Sequence, residues 1–435
     1  MGALRSVRVL LVNKFHYRKG GAETYYLEIG EALERMGHEV AYFSMRHPQN
    51  LPCAYERYFV TQREYNDVRN PVKAVRDGVA LVYSMEAKRC FQALCEEFRP
   101  DVVHLNNVHR QITLSILDAP YLVEHGVPVV YTAHDYVTIC PGYLMLDGEG
   151  CVCDRCLEDG RYRHCVENRC LKGSRAKSAL AAFEASFNRA RRMNDKIDRV
   201  VAPSSFMATK LVEGGWPSEK VGVLQNFAND EILARAKGAA IDATDLENPY
   251  LLFFGRLSEE KGVDILVDAF LSIASELPKW RLVVAGEGPA RERIEAALKS
   301  SPYSSQVELV GYMKGDELRT YVERASLAIA SSRCRENMPF SVIEAFAAGT
   351  PVVGARIGGI PELVSEGETG FICEPDDARS LAKAIERGIA FCADRLAYES
   401  MQRNCCLYVA KHCDQSRFMD QLIRLYEREI DAKRA

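Results

Sequence analysis

The sequence predicts two consecutive doubly wound, Rossmann-like α/β domains that face each other across a cleft. Three observations carry this prediction. The chain has 435 residues, enough for two separate hydrophobic cores. Short β-rich apolar runs alternate with longer segments of helical period, the pattern of parallel sheets covered by helices on both faces. The alternation runs twice, once on each side of a weakly periodic stretch at 237–244.

In the first half the strands read as Val7–Asn13, Val40–Ser44, Val102–Leu105, Val129–Thr132, Val200–Ala202 and Val221–Leu224, separated by helical patterns such as Ala22–Met36, Val72–Glu97 and Ser205–Glu213. In the second half they read as Tyr250–Phe254, Arg281–Ala285, Val307–Leu309, Leu327–Ala330 and Val352–Val353, with helices such as Val263–Glu276 and Asp316–Ala325. The domains are expected at 1–226 and 227–415, and the segment 416–435 as a helix packing back on the first domain. Ligands of such sheets bind at the carboxyl ends of the strands, so the informative motifs are those in strand-end loops.

Composition narrows the function. Apolar residues make up 47% and charged residues 27%, an ordinary globular balance. A net charge of −4 excludes nucleic acid as the main partner. There is no apolar run of the length that spans a bilayer, and Val7–Val12 is too short for a signal-peptide core. The fifteen cysteines are an odd number, several of them alone inside apolar runs (Cys90, Cys95, Cys373, Cys392), which points to a reducing, cytoplasmic setting.

The segment from Arg335 to Val353 is the most telling. Glu336 precedes a helix start at Pro339, Glu344 lies about one turn in, and Gly349 ends the helix before a buried strand. The free N–H groups of Phe340 and Ser341 would point out of the helix start, where the helix dipole favours an anion. A phosphate there would be flanked by two carboxylates able to accept hydrogen bonds from sugar hydroxyls. Ser341 and Glu344 equally fit a capping box that only finishes the helix. In Phe254-Gly255-Arg256-Leu257-Ser258-Glu259-Glu260-Lys261-Gly262, Arg256 and Lys261 flank a strand-to-helix turn and can reach one anion. Lys19-Gly20-Gly21-Ala22-Glu23 offers a second backbone approach to a phosphate, and His134 ends the strand Val129–Thr132 beside Asp135.

In this order the motifs resemble those of the retaining nucleotide-sugar glycosyltransferases of family four, the glycogen-synthase-like group with the GT-B architecture, over nearly the whole chain. The resemblance implies that Glu336 contacts the donor sugar and Glu344 the nucleotide ribose. It implies that Arg256 and Lys261 hold the diphosphate with the amides of Phe340 and Ser341, that Gly21 closes from the first domain, and that His134 sits by the donor sugar. It further implies a nucleoside diphosphate sugar as donor, a glycan or lipid-linked acceptor in cell-surface polysaccharide assembly, and no required cofactor. No Asp-x-Asp occurs, so no metal–diphosphate site is expected. A GT-B sugar-nucleotide epimerase, a phosphorylase, or an inactive nucleotide-sugar-binding protein are the alternatives, since fold alone does not separate them.

Two features depart from the common pattern. Cys140, Cys151, Cys153, Cys156, Cys165 and Cys170 crowd a segment at 140–170 containing one Cys-x2-Cys; they read as free thiols of an acceptor-side insertion or as a structural zinc site. Residues 161–200 hold eleven Lys or Arg against four Asp or Glu. A helix there, with Leu180, Phe183 and Phe187 expected on one face, reads as docked on its own core with a solvated basic side, or as a peripheral contact of 172–199 with an anionic membrane on the cytoplasmic face.

Overall fold

The computed structural model describes residues 6–63, 78–238 and 247–435. Two parallel sheets of six strands organise it. The first contains β1 (Arg8–Val12), β2 (Glu39–Phe43), β3 (Val102–Leu105), β4 (Val129–Thr132), β5 (Arg199–Ala202) and β6 (Val221–Val223), in the order β2-β1-β3-β4-β5-β6. The second contains β7 (Tyr250–Phe254), β8 (Arg281–Ala285), β9 (Val307–Gly311), β10 (Leu327–Ala330), β11 (Val352–Ala355) and β12 (Gly370–Cys373), in the order β12-β11-β10-β7-β8-β9. Strand order reverses between β1 and β3 in the first sheet and between β7 and β10 in the second. Adjacent helices leave in opposite directions at such a point, opening a crevice at the strands' carboxyl ends.

Period-two alternation builds the first core. Leu10 and Val12 of β1 join Phe43, Phe91 and Leu105 on one face. Val9 and Leu11 point to the other, where they meet Tyr25, Tyr26 and Leu33 of the helix Gly21–Arg35. The same face is covered by the helix Gln415–Arg434, capped by Asp414 and contributing Phe418, Met419, Leu422, Ile423, Tyr426 and Ile430. Tyr426 Oη lies 2.6 Å from Nδ1 of the buried His104 on β3.

Three readings of the sequence need correction. The strand β12 was not foreseen: Gly-Phe-Ile-Cys is a four-residue run whose period separates neither strand from helix, and pairing to β11 decides it. The helical run expected at Val72–Glu97 is interrupted: a helix begins afresh at Met85, where Ser84 Oγ accepts from Ala87 N, and the opening of that run lies outside the described residues. On the helix Arg175–Ala190 the inward residues are Ser178, Ala181, Ala182 and Glu184, while Phe183 is 59% exposed. Small side chains allow this helix to approach its neighbours closely, and Glu184 pairs with Arg110 at 3.4 Å, so Phe183 turns outward, while Leu180 and Phe187 are half-buried and Phe187 meets Tyr83 edge-on. The stretch at 237–244 falls mostly outside the described residues.

Candidate functional site between the two switch points

Loops from both switch points converge. After β7 come Gly255 and Arg256; after β10 come Ser331 to Glu336. Lys261 Nζ donates to Glu336 Oε1 at 2.5 Å, and Ser332 Oγ donates to the same oxygen at 2.8 Å. Burial pushes the Glu336 carboxyl up, but the Lys261 charge and these hydrogen bonds outweigh it and hold the group below its ordinary range. Burial likewise works against the Lys261 ammonium, and Glu336 more than compensates. The Glu336 loop is braced from behind: Gly358 has φ +61°, and a Cβ on it would come within 2.2 Å of Glu336 O.

Arg256 is exposed and close enough to interact electrostatically with Lys19 and Tyr143 of the first domain. Lys19 in turn interacts with Lys14 and Glu23. The cationic groups of the two halves therefore share one neighbourhood.

The helix Phe340–Ala347 begins behind Pro339, which is the N-cap rather than the first helical residue, with φ −67° and ψ 125°. No side chain caps this start, so Ser341 and Glu344 do not form the capping box. The helix Gly21–Arg35 also starts without a side-chain cap, behind Gly20. The two starts meet: a Cβ added to Gly21 would lie 3.1 Å from Cδ2 of Phe340. Two uncapped helix N-termini, one per domain, thus direct their dipoles at the same region.

His134 follows β4. Its Nε2 lies 2.9 Å from the Asn106 side-chain amide, which engages that ring nitrogen. Burial, then the charge of Lys14, depresses its pKa to about 3, so the ring is neutral. Its main-chain oxygen accepts from Asn337 Nδ2 at 2.6 Å, a bond between the domains. Glu344 lies further along its helix. Burial, reinforced by Glu28 of the first domain, raises its pKa to about 7, with Arg235 opposing.

Two family models match the chain almost end to end: Glycosyltransferase Family 4 over residues 19–232 and Glycosyl transferases group 1 over residues 237–395. The chain belongs to the family-four glycosyltransferases. Solved structures agree on the architecture. Anabaena HepE in complex with UDP superposes with a TM-score of 0.64 at 17% identity, covering 97% of this chain and 100% of that one. Sucrose-phosphate synthase from Thermosynechococcus elongatus gives 0.68 at 20% identity, with 98% and 100% covered. At such identities the likeness concerns the fold, and this glycosyltransferase is of the GT-B kind.

Among curated relatives, an uncharacterized 42.6 kDa protein in the cps region of Klebsiella pneumoniae is 24% identical over 370 residues, 82% of this chain and 87% of the relative. The amylovoran biosynthesis glycosyltransferase AmsK of Erwinia amylovora is 26% identical over 185 residues, so the chain matches only 44% of that relative's length.

In the glycosyltransferase seven of the eight residues singled out from the sequence lie in strand-end loops or at the two helix starts, and Glu344 lies one turn into the second of those helices. Lys261 with Glu336, and Gly21 with Phe340, are brought into direct contact. Sequence reasoning missed Lys14, Lys19 and Asn337. The signal for Lys14 and Lys19 was present, because both lie in the loop between β1 and the Gly21 helix. Asn337 had none beyond its place next to Glu336.

Proposed function

We propose that the chain transfers a hexose-type residue from a nucleoside diphosphate sugar to a hydroxyl of a glycan or lipid-linked saccharide, with retention of configuration and without a metal ion. The observation that carries this reading is the Lys261–Glu336 pair beside Arg256 and the two facing helix starts. The second domain, 227–415, would bind the donor and the first, 1–226, the acceptor.

The chemistry follows from the placement of charge. As the glycosidic bond to phosphate breaks, negative charge builds on the departing diphosphate. Arg256, Lys261 and the amides of Phe340 and Ser341 are fixed dipoles and cations for that charge, already oriented before reaction. Glu336, ionised and held by Lys261, is an acceptor for donor-sugar hydroxyls. Glu344 is an acceptor for the ribose. His134, neutral, would bring no charge to the sugar, and so would not compete with the phosphate cations. An oxygen of the diphosphate is the base for the acceptor proton in this scheme, which calls for no protein nucleophile.

The names of the relatives favour a role in surface polysaccharide assembly: one is a protein of a cps region and another serves amylovoran biosynthesis. Among the described residues no helix is long and apolar enough to cross a membrane, and any membrane contact through 172–199 would be peripheral. A thermal-shift panel of uridine, guanosine and adenosine diphosphate sugars, followed by nucleotide release with and without chelator, tests the proposal. A stabilising donor that is slowly hydrolysed in chelator is expected. A chain stabilised by none of them, or one that releases nucleotide only with added metal, would end it.

A further inference from the structure

The cysteine segment at 140–170 forms a lobe outside the donor site, and it lacks the means by which small lobes normally hold together. Its regular structure is an isolated antiparallel bridge between Leu146 and Val152 and two short helices, Arg155–Glu158 and Arg163–Glu167. Its apolar centre consists of Cys156, Cys165 and Ala182, with Tyr162, Val166 and Cys170 packed around them. Cys140, Met145 and Leu157 anchor the near side of the segment in the first domain's core, but so small a cluster buries little beyond it, and lobes of that kind gain from a cross-link or a metal. Yet the backbone here is strained. Tyr143, Met145, Arg169 and Lys172 all have φ between 50° and 56°, in the left-handed region that side chains avoid.

The thiols themselves are the candidates. Cys156, Cys165 and Cys170 already share the small centre of the lobe. Cys156 interacts electrostatically with Cys140, Cys170 and Cys153, and Cys165 with Cys170, Cys140 and Cys156, so Cys140 stands beside the four as a fifth thiol. Asn168 Nδ2 lies 3.9 Å from Cys153 Sγ. In sequence these four form two chelating loops, Cys153-x2-Cys156 and Cys165-x4-Cys170, and both spacers fall within the range that lets one loop supply two ligands to a tetrahedral ion. Among the described residues no three donors already converge on one point, so binding draws the thiols inward by rotation of their side chains. Cys151 is exposed, and Cys140 belongs to the core of the first domain, at the root of the lobe.

We propose that Cys153, Cys156, Cys165 and Cys170 bind one structural zinc ion as thiolates. The ion would supplement the small apolar centre of the lobe. Its consequence reaches the donor site through Asp154, between the first two ligands. Both Asp154 carboxylate oxygens accept from the Arg335 guanidinium, and Arg335 immediately precedes Glu336. The zinc would therefore fix one wall of the interdomain cleft without touching substrate.

The test is elemental analysis of the full chain, purified without chelator or metal-affinity resin. About one zinc per chain is expected, released in step with titration of four thiols by a mercurial and detected by a chromogenic chelator. Cys156→Ser and Cys165→Ser should lose the metal, whereas Cys140→Ser and Cys151→Ser should keep it. If the first two variants do not fold, stoichiometric release from the unmodified protein still decides the matter. Substoichiometric zinc, with the four thiols either free or joined in disulfides, overturns the site. Retention of zinc by Cys156→Ser or Cys165→Ser, or its loss in Cys140→Ser, overturns the ligand set.

Discussion

Lys261 Nζ reaches from the loop after β7 to Glu336 Oε1, 2.5 Å away in the loop after β10, and so ties together the two sides of the second domain's switch point. Glu336 is the more enclosed partner, its side chain 13% exposed against 33% for Lys261. Lys261→Met strands that carboxylate. We expect stability to fall by about 2–4 kcal/mol, since the surviving charge keeps its desolvation cost. Donor turnover should fall about 10²–10³-fold. Calorimetry and nucleotide release report the two effects, and unchanged turnover would remove Lys261 from the diphosphate.

Arg256 provides the complementary case. It is exposed, so its loss leaves no buried partner behind. Arg256→Ala should unfold within about 0.5 kcal/mol of the parent yet lose about 10²–10³-fold in donor turnover. A variant that loses stability and retains turnover would show that the side chain serves the fold instead.

Glu344 sets a pH dependence. Its folded pKa of about 7 lies above the ordinary 4.5, so between those values the folded state holds a proton that the unfolded state has released. The contribution to stability is full below about pH 4.5 and is lost as pH rises through 7. Glu344→Gln should then be more stable than the parent at pH 8, on the order of 2–3 kcal/mol, and no more stable at pH 4. A nucleoside diphosphate sugar should bind the parent more tightly at pH 8 than at pH 6, because the ionised carboxylate is the better acceptor for ribose hydroxyls. Calorimetric titration at both pH values checks this; a pH-independent affinity in the parent would contradict the ribose role.

Gly21 tests the facing helix starts. A Cβ here meets only the Phe340 ring, at 3.1 Å, so Gly21→Ala should be accommodated by a small ring displacement. Gly21→Val cannot be, and should raise the donor KM about tenfold or more while leaving the separate domains folded. Equal KM values for both variants would mean that this contact plays no part in donor binding.

A last prediction concerns a clasp between domains. Glu362 of the second domain accepts from Ser205 N at 2.9 Å and Phe206 N at 2.7 Å, capping a helix of the first. Ser204 keeps its own N-cap bond to Met207 N, so Glu362→Ala should cost about 1 kcal/mol for the two helix-start amides it leaves unpaired. Protease cleavage between the domains should quicken; if it does not, the clasp does not restrain them.

The sequence reveals the alternation of strands and helices because parallel strands buried on both faces are short, uniformly apolar and separated by amphipathic helices. Eleven of the twelve strands can be read this way, and β12 escapes because four residues carry too little pattern. The paired roles of Lys261 and Glu336 are harder to see. Their separation of 75 positions hides a contact that exists only because β7 and β10 are neighbours. Phe183 misleads for a related reason: helical period identifies an apolar stripe, but close docking selects Ala181 and Ala182 instead. Asn337 illustrates the remainder, a polar residue whose partner is a main-chain oxygen and leaves no trace in composition.

The helix Gln415–Arg434 lies on the first sheet after the chain has built the second. During synthesis, Val9, Leu11, Tyr25 and Leu33 must therefore wait, with one flank bare, for some two hundred residues to leave the ribosome. The first domain cannot mature as an independent unit, and a truncated chain lacking Phe418, Leu422 and Tyr426 would offer that bare flank to chaperones or to aggregation.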